Sequence, residues 1–405
     1  FLLYVLKVTA MKKQEQILVI KKLMNHLDDG TTVDAGAQVR NPVSSYTDES
    51  MAVAEWQTFF HSYPQVLGLS GDLPGPASYF TSRDLGKPIL CTRDGAGKFR
   101  AFLNTCRHRG AIVESEERGT KEKFSCPFHA WCYNNLGELV VVPREDHFGS
   151  VDKSCHGLVS LPAVEKYGLL WIHPDPQETI DVDDLLGDLA PELESWNLQK
   201  FNYQDSTTFQ TAMNWKLAID TFGETYHFNV LHRSTLAEIF YGNVQTYDVY
   251  KRNHRMVLCL KTIDNYRQIP EENWQIQEAA LPVYFIFPNI QLTVGGGGPT
   301  LVRVYPDGQN PNHSHSQISS YLDPDIEDLT IDPEQLARYQ SPDRLRAFAG
   351  VIENEDYAVA AGSHFGALSG AQEYITFGRN EPALHHYHNT YREALGLPPI
   401  EKIPI

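Results

Sequence analysis

The chain has 405 residues, 42% of them apolar and 21% charged, which is length for two or three domains and material for a large core; a disordered chain or a small stapled scaffold is excluded. With 34 basic against 51 acidic side chains the formal charge is −17, so a nucleic-acid partner would need a local basic patch working against the overall field. Six cysteines are too sparse for a disulfide framework, so the expected compartment is the reducing cytoplasm, with thiols available for ligation.

Phe1 to Ala10 is apolar, but Lys7 interrupts it and it is too short to span a bilayer; it reads as a leader ahead of Met11, and no membrane association is expected. From Met11 to Leu27, Ile17, Val19, Ile20, Leu23 and Leu27 recur at helical spacing among lysines, which predicts an amphipathic helix. A polar stretch from Asp28 to Ser50 follows. Between Ile89 and Trp171 the pattern is short strands and tight turns: Ile89–Arg93 and Phe99–Leu103 flank Asp94-Gly95, Trp131–Tyr133 and Leu139–Val142 flank Asn134–Gly137, and a last strand covers Leu169–Ile172. Two prolines and an acidic run after His173 mark a domain boundary. Beyond it, Asn214–Tyr226 has helical periodicity. Strand-like runs follow at Val244–Tyr250, Met256–Leu260 and Val283–Val294, then a hairpin of Leu301–Tyr305 with Gln317–Leu322, a long helix from Pro333 through Ala361, and a final helix at Pro382–Leu395. Sheet with flanking helices is α+β. The expected divisions are residues 1–49, a leader and helix packed on the last domain; 50–174, a small all-β domain; and 175–405. Gly295–Gly298 reads as a strand-end turn, since no helix start follows it.

Two pairs, Cys106-Arg-His108 and Cys126-Pro-Phe-His129, are separated by seventeen residues, each where a strand gives way to a turn. A Cys2His2 set can hold zinc or two irons, but a zinc finger puts both Cys on one element and both His on another, whereas here each loop offers one of each. Cys91, Cys132, Cys155 and Cys259 have no His at ligand spacing and are assigned to packing.

These residues, in Asn104-Thr-Cys106-Arg-His108-Arg109-Gly110 and Cys126-Pro127-Phe128-His129-Ala130-Trp131, closely resemble the Rieske family. The resemblance implies a [2Fe–2S] cluster on Cys106, His108, Cys126 and His129 at the tips of two β loops, at a higher reduction potential than an all-Cys site. Respiratory members usually carry a further Cys in each loop; Ala111 and Phe128 stand there, which points to the oxygenase branch.

The segment Glu224-Thr-Tyr-His227-Phe-Asn-Val-Leu-His232 carries two His five apart. On a regular helix they would point about 140° apart, so joint ligation requires the helix to end or widen between them. Two imidazoles and one carboxylate with open positions suit Fe(II) for oxygen activation. The stretch is similar to the mononuclear-iron motif of Rieske oxygenases, whose third ligand is a distant Asp; Glu353-Asn-Glu355-Asp356 looks like that element, with Asp356 first, Glu355 second and Glu353 third. Asp220, Glu224 and His227 fall on one face of the expected helix, offering supporting carboxylates. In the family, an acidic residue three before the first His meets the second cluster His of a neighbouring subunit, roles that fall here to Glu224 and His129. Ring-dihydroxylating members commonly have Asp there; Glu resembles members acting on quaternary ammonium compounds.

The remaining histidines have plainer readings: His313 and His315 in an exposed turn, and His385, His386 and His388 in the packing of the last helix, beside Leu384, Tyr387 and Tyr391. Arg107, Arg109, Arg118, Lys121 and Lys123 form a basic stretch offset by Glu114, Glu116, Glu117 and Glu122, either a solvated loop or a landing site for an acidic electron donor. Phe222, Tyr226, Phe228, Phe285 and Phe287 are candidates to line a substrate pocket. The resemblance covers about Met51 to Leu395 and implies a Rieske domain plus a helix-grip catalytic domain, in a terminal oxygenase large subunit that hydroxylates a small, aromatic organic substrate by cis-dihydroxylation, or by monooxygenation or demethylation. Its partners would be a ferredoxin or flavin reductase, and its assembly a homotrimer with or without a small second subunit. A pure electron carrier would have no use for His227, His232 and Asp356, and a zinc-stabilised binding protein would carry no iron.

Overall fold

The computed structural model describes residues 11–326, 333–341 and 343–403. The chain forms two compact units: one is Gln57–Val182 with Leu198–Tyr203, the other is the segment ending at Trp56, Asp183–Asn197 and the chain from Gln204 onward. The expected leader, Phe1 to Ala10, lies outside the described residues. No helix among the described residues is long and apolar enough to cross a membrane.

The first unit is built of short antiparallel strands. A five-stranded sheet runs in the order Ser160–Leu161, Phe99–Leu103, Ile89–Arg93, Ser78–Ser82, Arg118–Thr120, beside two three-stranded sheets. The hairpin read from Asp94-Gly95 forms in register from Ile89↔Leu103 to Arg93↔Phe99, because Asp94 Oδ1 accepts from the backbone N–H groups of Ala96 and Lys98, both at 2.9 Å. The second turn needs its glycine: Gly137 has φ +81°, and a Cβ there would meet Phe102 Cε1 at 2.4 Å. Alternate strand residues close one core over Tyr79, Leu90, Phe102, Phe124, Trp131 and Tyr133, which also buries Cys106 and Cys126.

The second unit is a seven-stranded antiparallel sheet in the order Asn202–Thr211, Asn310–Leu322, Gly298–Asp307, Ile290–Gly295, Ala280–Ile286, Asn253–Leu260, Phe240–Tyr250. The Pro382–Ala394 helix packs on it through Tyr387, whose ring meets Phe285 edge-on at 4.5 Å, and Tyr391, whose hydroxyl donates to Pro288 O at 2.9 Å. Arg255 is fully buried on this sheet and is matched by three carboxylates, Glu15, Glu192 and Asp248, at 2.6, 2.6 and 2.7 Å. Glu15 belongs to the Lys13–Asp29 helix, which this contact ties to the sheet. The architecture is α+β, an all-β unit plus a helix-grip unit.

Several local readings are corrected. The helix expected over Asn214–Tyr226 ends at Asp220, and the chain continues as successive turns. The Val283–Val294 run is two strands, Ala280–Ile286 and Ile290–Gly295, split at Pro288-Asn289 where proline cannot donate to the ladder. The long helix is divided into Pro333–Gln340, Arg344–Val351, a π-helical turn Ile352–Tyr357 and Ala358–Leu368. His313 and His315 stand in the Asn310–Leu322 strand, not in a turn; His315 stacks on Tyr305. The polar 28–50 stretch contains Gln38–Pro42, the middle strand of a sheet with Tyr374–Phe377 and Glu401–Ile403. Pairing over such sequence distance leaves no local pattern.

The Trp215–Asp220 helix starts on Asn214, whose Oδ1 accepts from Lys216 N at 3.0 Å, and it is held from below by Glu55. Glu55 accepts from Trp215 Nε1 at 2.9 Å and from Lys216 Nζ, and both charged groups are buried. Burial pulls the Lys216 amine below its usual range against the opposing pull of Glu55. Lys216→Met, which strands the Glu55 charge, should cost about 3–5 kcal/mol in urea unfolding, and adding Glu55→Leu should recover most of it.

Candidate cluster site and metal triad

In the first unit, Cys106 and Cys126 open twin loops. Each Cys N–H bonds the carbonyl five residues on, Ala111 or Trp131, and each Cys carbonyl accepts from the N–H four residues on, Gly110 or Ala130. That fourth residue is left-handed in both, with φ +77° at Gly110 and +55° at Ala130. The backbones therefore match although His follows Cys by two residues in one loop and by three in the other. Asn104 braces the first loop, its Oδ1 accepting from Val113 N and Glu114 N at 3.2 and 3.0 Å.

The two thiols are buried and free, and burial together with the nearby Cys106 pushes the Cys126 thiol up. The His108 and His129 rings lie 4.7 Å apart between centroids; His108 stacks on Trp131 at 4.9 Å and His129 on Phe128 at 3.9 Å. Tyr133 OH sits 3.3 Å from Cys106 Sγ while accepting from Arg107 N at 2.9 Å, a contact the sequence reading missed. Buried thiols beneath partly exposed imidazoles suit a two-iron cluster with one like pair per iron. Lys121 is paired with Glu114, and Arg118 with Asp72, while Arg107, Arg109 and Lys123 are exposed. Cys132 is buried as expected; Cys155 is not, lying exposed in a short turn where Sγ donates to Asp152 at 3.2 Å.

In the second unit, His227, His232 and Asp356 each turn one ligand atom to a common point, all within 4.8 Å of one another. Asp356 Oδ1 lies 3.4 Å from His227 Nε2 and 3.2 Å from His232 Nε2. The opposite nitrogens are held from behind. His227 Nδ1 bonds Glu224 Oε1, while Glu224 Oε2 accepts from the His227 backbone N–H at 3.1 Å; His232 Nδ1 bonds Glu355 Oε2 at 2.6 Å, which also accepts from Thr235 Oγ1 at 2.9 Å. Imidazoles backed by carboxylates at Nδ1 present Nε2 lone pairs forward, the usual preparation for a metal. The fit has a direct mark: His227 Nε2 is buried and makes no hydrogen bond, and His232 is 0% exposed. Burial opposes charge on the imidazoles, yet the Asp356 and Glu224 carboxylates push His227 up to about 9, and Asp356 with Glu355 raises His232. Burial likewise opposes charge on Asp356, and the two His hold it below the usual carboxylate range.

The two His converge because the helix stops at Asp220, not because it widens between them. The widened turn lies in the helix across the site, at Ile352–Tyr357, where adjacent Glu355 and Asp356 reach opposite edges of the His232 ring. Glu353 is exposed and takes no part. Asp220 does not share a helix face with Glu224 and His227. Its carboxylate binds His388 Nε2 at 2.9 Å and Tyr46 OH at 2.7 Å, and Asn41 Nδ2 lies 3.1 Å from His388 Nδ1. His388, read as packing, is a polar anchor, a role with no signal in local sequence.

Of the five lining candidates, Phe228 is buried against both His rings, at 5.0 and 5.3 Å between centroids, whereas Phe222 is half-buried, Tyr226 is 65% exposed, and Phe285 and Phe287 are core contacts of the last helix. A cavity of about 150 Å³ lies elsewhere, between the sheet and the Arg344–Val351 helix, walled by Leu281, Leu345 and Phe348 with the hydroxyl-bearing Thr293, Thr300 and Ser320.

An all-β unit with twin Cys/His loops and a sheet-and-helix unit with a two-His, one-carboxylate triad define a protein with one two-iron and one mononuclear centre. Comparison gives the family. Residues 64–163 match the Rieske [2Fe-2S] domain and residues 194–397 the ring hydroxylating alpha subunit catalytic domain; the chain belongs to the ring-hydroxylating alpha-subunit family of Rieske oxygenases, with a [2Fe–2S] cluster and mononuclear iron as its cofactors. It is 29% identical over 195 residues to the glycine betaine monooxygenase oxygenase subunit of Pseudomonas aeruginosa, over 48% of this chain and 45% of that one. It is 34% identical over 198 residues to the large oxygenase component of the naphthalene 1,2-dioxygenase system of Pseudomonas putida, over 47% and 43%. These matches span about half the length of the curated relatives. In fold it is similar to the quaternary ammonium Rieske monooxygenase CntA, with a TM-score of 0.74 at 19% identity, over 89% of this chain and 96% of that one.

Glu355→Gln, which keeps the shape but weakens the hold on His232 Nδ1, should lower mononuclear iron affinity roughly 10- to 100-fold in a chelator-competition titration while leaving the visible absorption of the cluster unchanged. Unchanged iron affinity would remove Glu355 from the site.

Proposed function

We propose that this chain is the terminal oxygenase of a ring-hydroxylating system, using dioxygen and external electrons to hydroxylate a small, aromatic organic substrate, with the cis-diol as the product. The carrying observation is that one chain contains both a Cys/His pair of loops and a buried His227/His232/Asp356 triad whose imidazoles are backed at Nδ1. A pure electron carrier needs only the first.

Cys106, Cys126, His108 and His129 would hold the cluster, and His227, His232 and Asp356 the lone iron. Bound there, the cluster would supply single electrons and the iron the site of dioxygen reduction. The chain's own contribution is positional. Glu224 and Glu355 fix both rings with Nε2 turned toward the Asp356 carboxylate. Phe228 packs its buried ring against both imidazoles. We further assign the electron route to His129 and the Glu224 of another copy in a homotrimer. In support, His129 is exposed at its loop tip, and Glu224 directly touches a triad imidazole. The donor would be a ferredoxin or flavin reductase, and exposed Arg107 and Arg109 suit an acidic one.

Loaded protein should contain about three irons and two labile sulfides per chain. With a reductase and a panel of aromatic and quaternary ammonium compounds, product analysis should find a diol; phenol or formaldehyde would instead assign monooxygenation or demethylation. His227→Ala should lose one iron and all product while keeping the cluster spectrum. Two irons and no product would make the chain an electron carrier, and zinc in place of iron a binding protein.

A further inference from the structure

The cavity beside the Arg344–Val351 helix is also lined by Gly295, Gly298 and Arg344 itself. Its Nη2 donates to Gly298 O at 3.1 Å and its guanidinium lies 5.7 Å from the Tyr339 ring centroid; among the described residues no carboxylate pairs with it. Burial lowers its hold on its proton, the mark of a cation removed from water without a counter-charge. The contrast with Arg255, buried among three carboxylates, shows how this chain treats a cation that serves structure alone.

The cavity's size and walls narrow the occupant. About 150 Å³ with apolar sides is room for a single ring. A planar guanidinium fork with free donors matches a carboxylate in two parallel hydrogen bonds. A quaternary ammonium group finds the opposite of what it needs: the lining holds no carboxylate, one aromatic ring instead of a box, and a like charge. The cavity lies on the helical run that also carries Asp356, with Phe348 eight residues before it, roughly 12 Å of helical rise.

We propose that this cavity receives an organic carboxylate with an apolar body and that Arg344 recognises its anionic end. The anion site stands on the cavity and Arg344 and does not rest on the oxygenase reading.

The test is calorimetric titration of the iron-loaded protein with benzoate and 3-phenylpropionate, their amides, and phenethyltrimethylammonium, repeated on Arg344→Met and Arg344→Lys. The carboxylates should bind roughly ten- to a hundredfold more tightly than the amides, and the quaternary amine should not bind. Arg344→Met should erase the carboxylate preference while retaining amide affinity, iron content and the cluster spectrum, and Arg344→Lys should restore part of it. Equal affinity for acid and amide, or full carboxylate affinity in Arg344→Met, overturns the proposal. If that happens in protein that still hydroxylates another compound, the anion site fails and the oxygenase reading stands. If carboxylates bind through Arg344 and no compound is ever oxidised, the reverse holds.

Discussion

Two buried imidazoles reach one carboxylate oxygen, and each is pinned from behind by a second carboxylate. With neutral rings, Glu224, Glu355 and Asp356 leave three negative charges around two imidazoles in a space largely closed to water. Such a group is costly to bury alone, and protons relieve only part of the cost, as the elevated His227 shows. A divalent cation between the Nε2 edges and the Asp356 carboxylate would relieve it directly, and Glu224 and Glu355 hold both rings with Nε2 turned to that carboxylate.

That arrangement depends on where helices stop. The Trp215–Asp220 helix is anchored by buried Glu55 and ends before the first His, so His227 and His232 come from turns that can aim both rings at one point. Across from them the π-helical turn at Ile352–Tyr357 sets two neighbouring acids on opposite edges of one ring. The remaining carboxylate of the first helix, Asp220, is occupied by His388 and Tyr46, which keeps a fourth negative charge engaged away from the triad.

Much of this was legible because ligation imposes fixed residue types at short spacing: both Cys/His pairs, His227 and His232 could be named from the sequence, Asp356 came through the family resemblance alone, and the hairpin over Ile89–Leu103 follows from Asp94-Gly95 and its flanking strands. The tertiary partners could not. Tyr133 beneath Cys106, Glu355 behind His232 and His388 on Asp220 act across the fold, and no periodicity reports which face an acid or a histidine will meet. Helical spacing over 214–226 misled for a related reason: the spacing of Leu217, Ile219, Phe222 and Tyr226 matches a helix face, but only Leu217 and Ile219 are buried on one, and Tyr226 is 65% exposed after the helix has ended.

The most direct measurement is a crystal structure of iron-loaded protein with anomalous data at the iron edge. The account predicts a lone iron bound by Nε2 of His227, Nε2 of His232 and the Asp356 carboxylate, with Nδ1 of each ring still on Glu224 and Glu355, and a two-iron peak at Cys106, His108, Cys126 and His129. Iron held through Nδ1, iron at the Asp220–His388 pair, or no anomalous peak at the triad would contradict it.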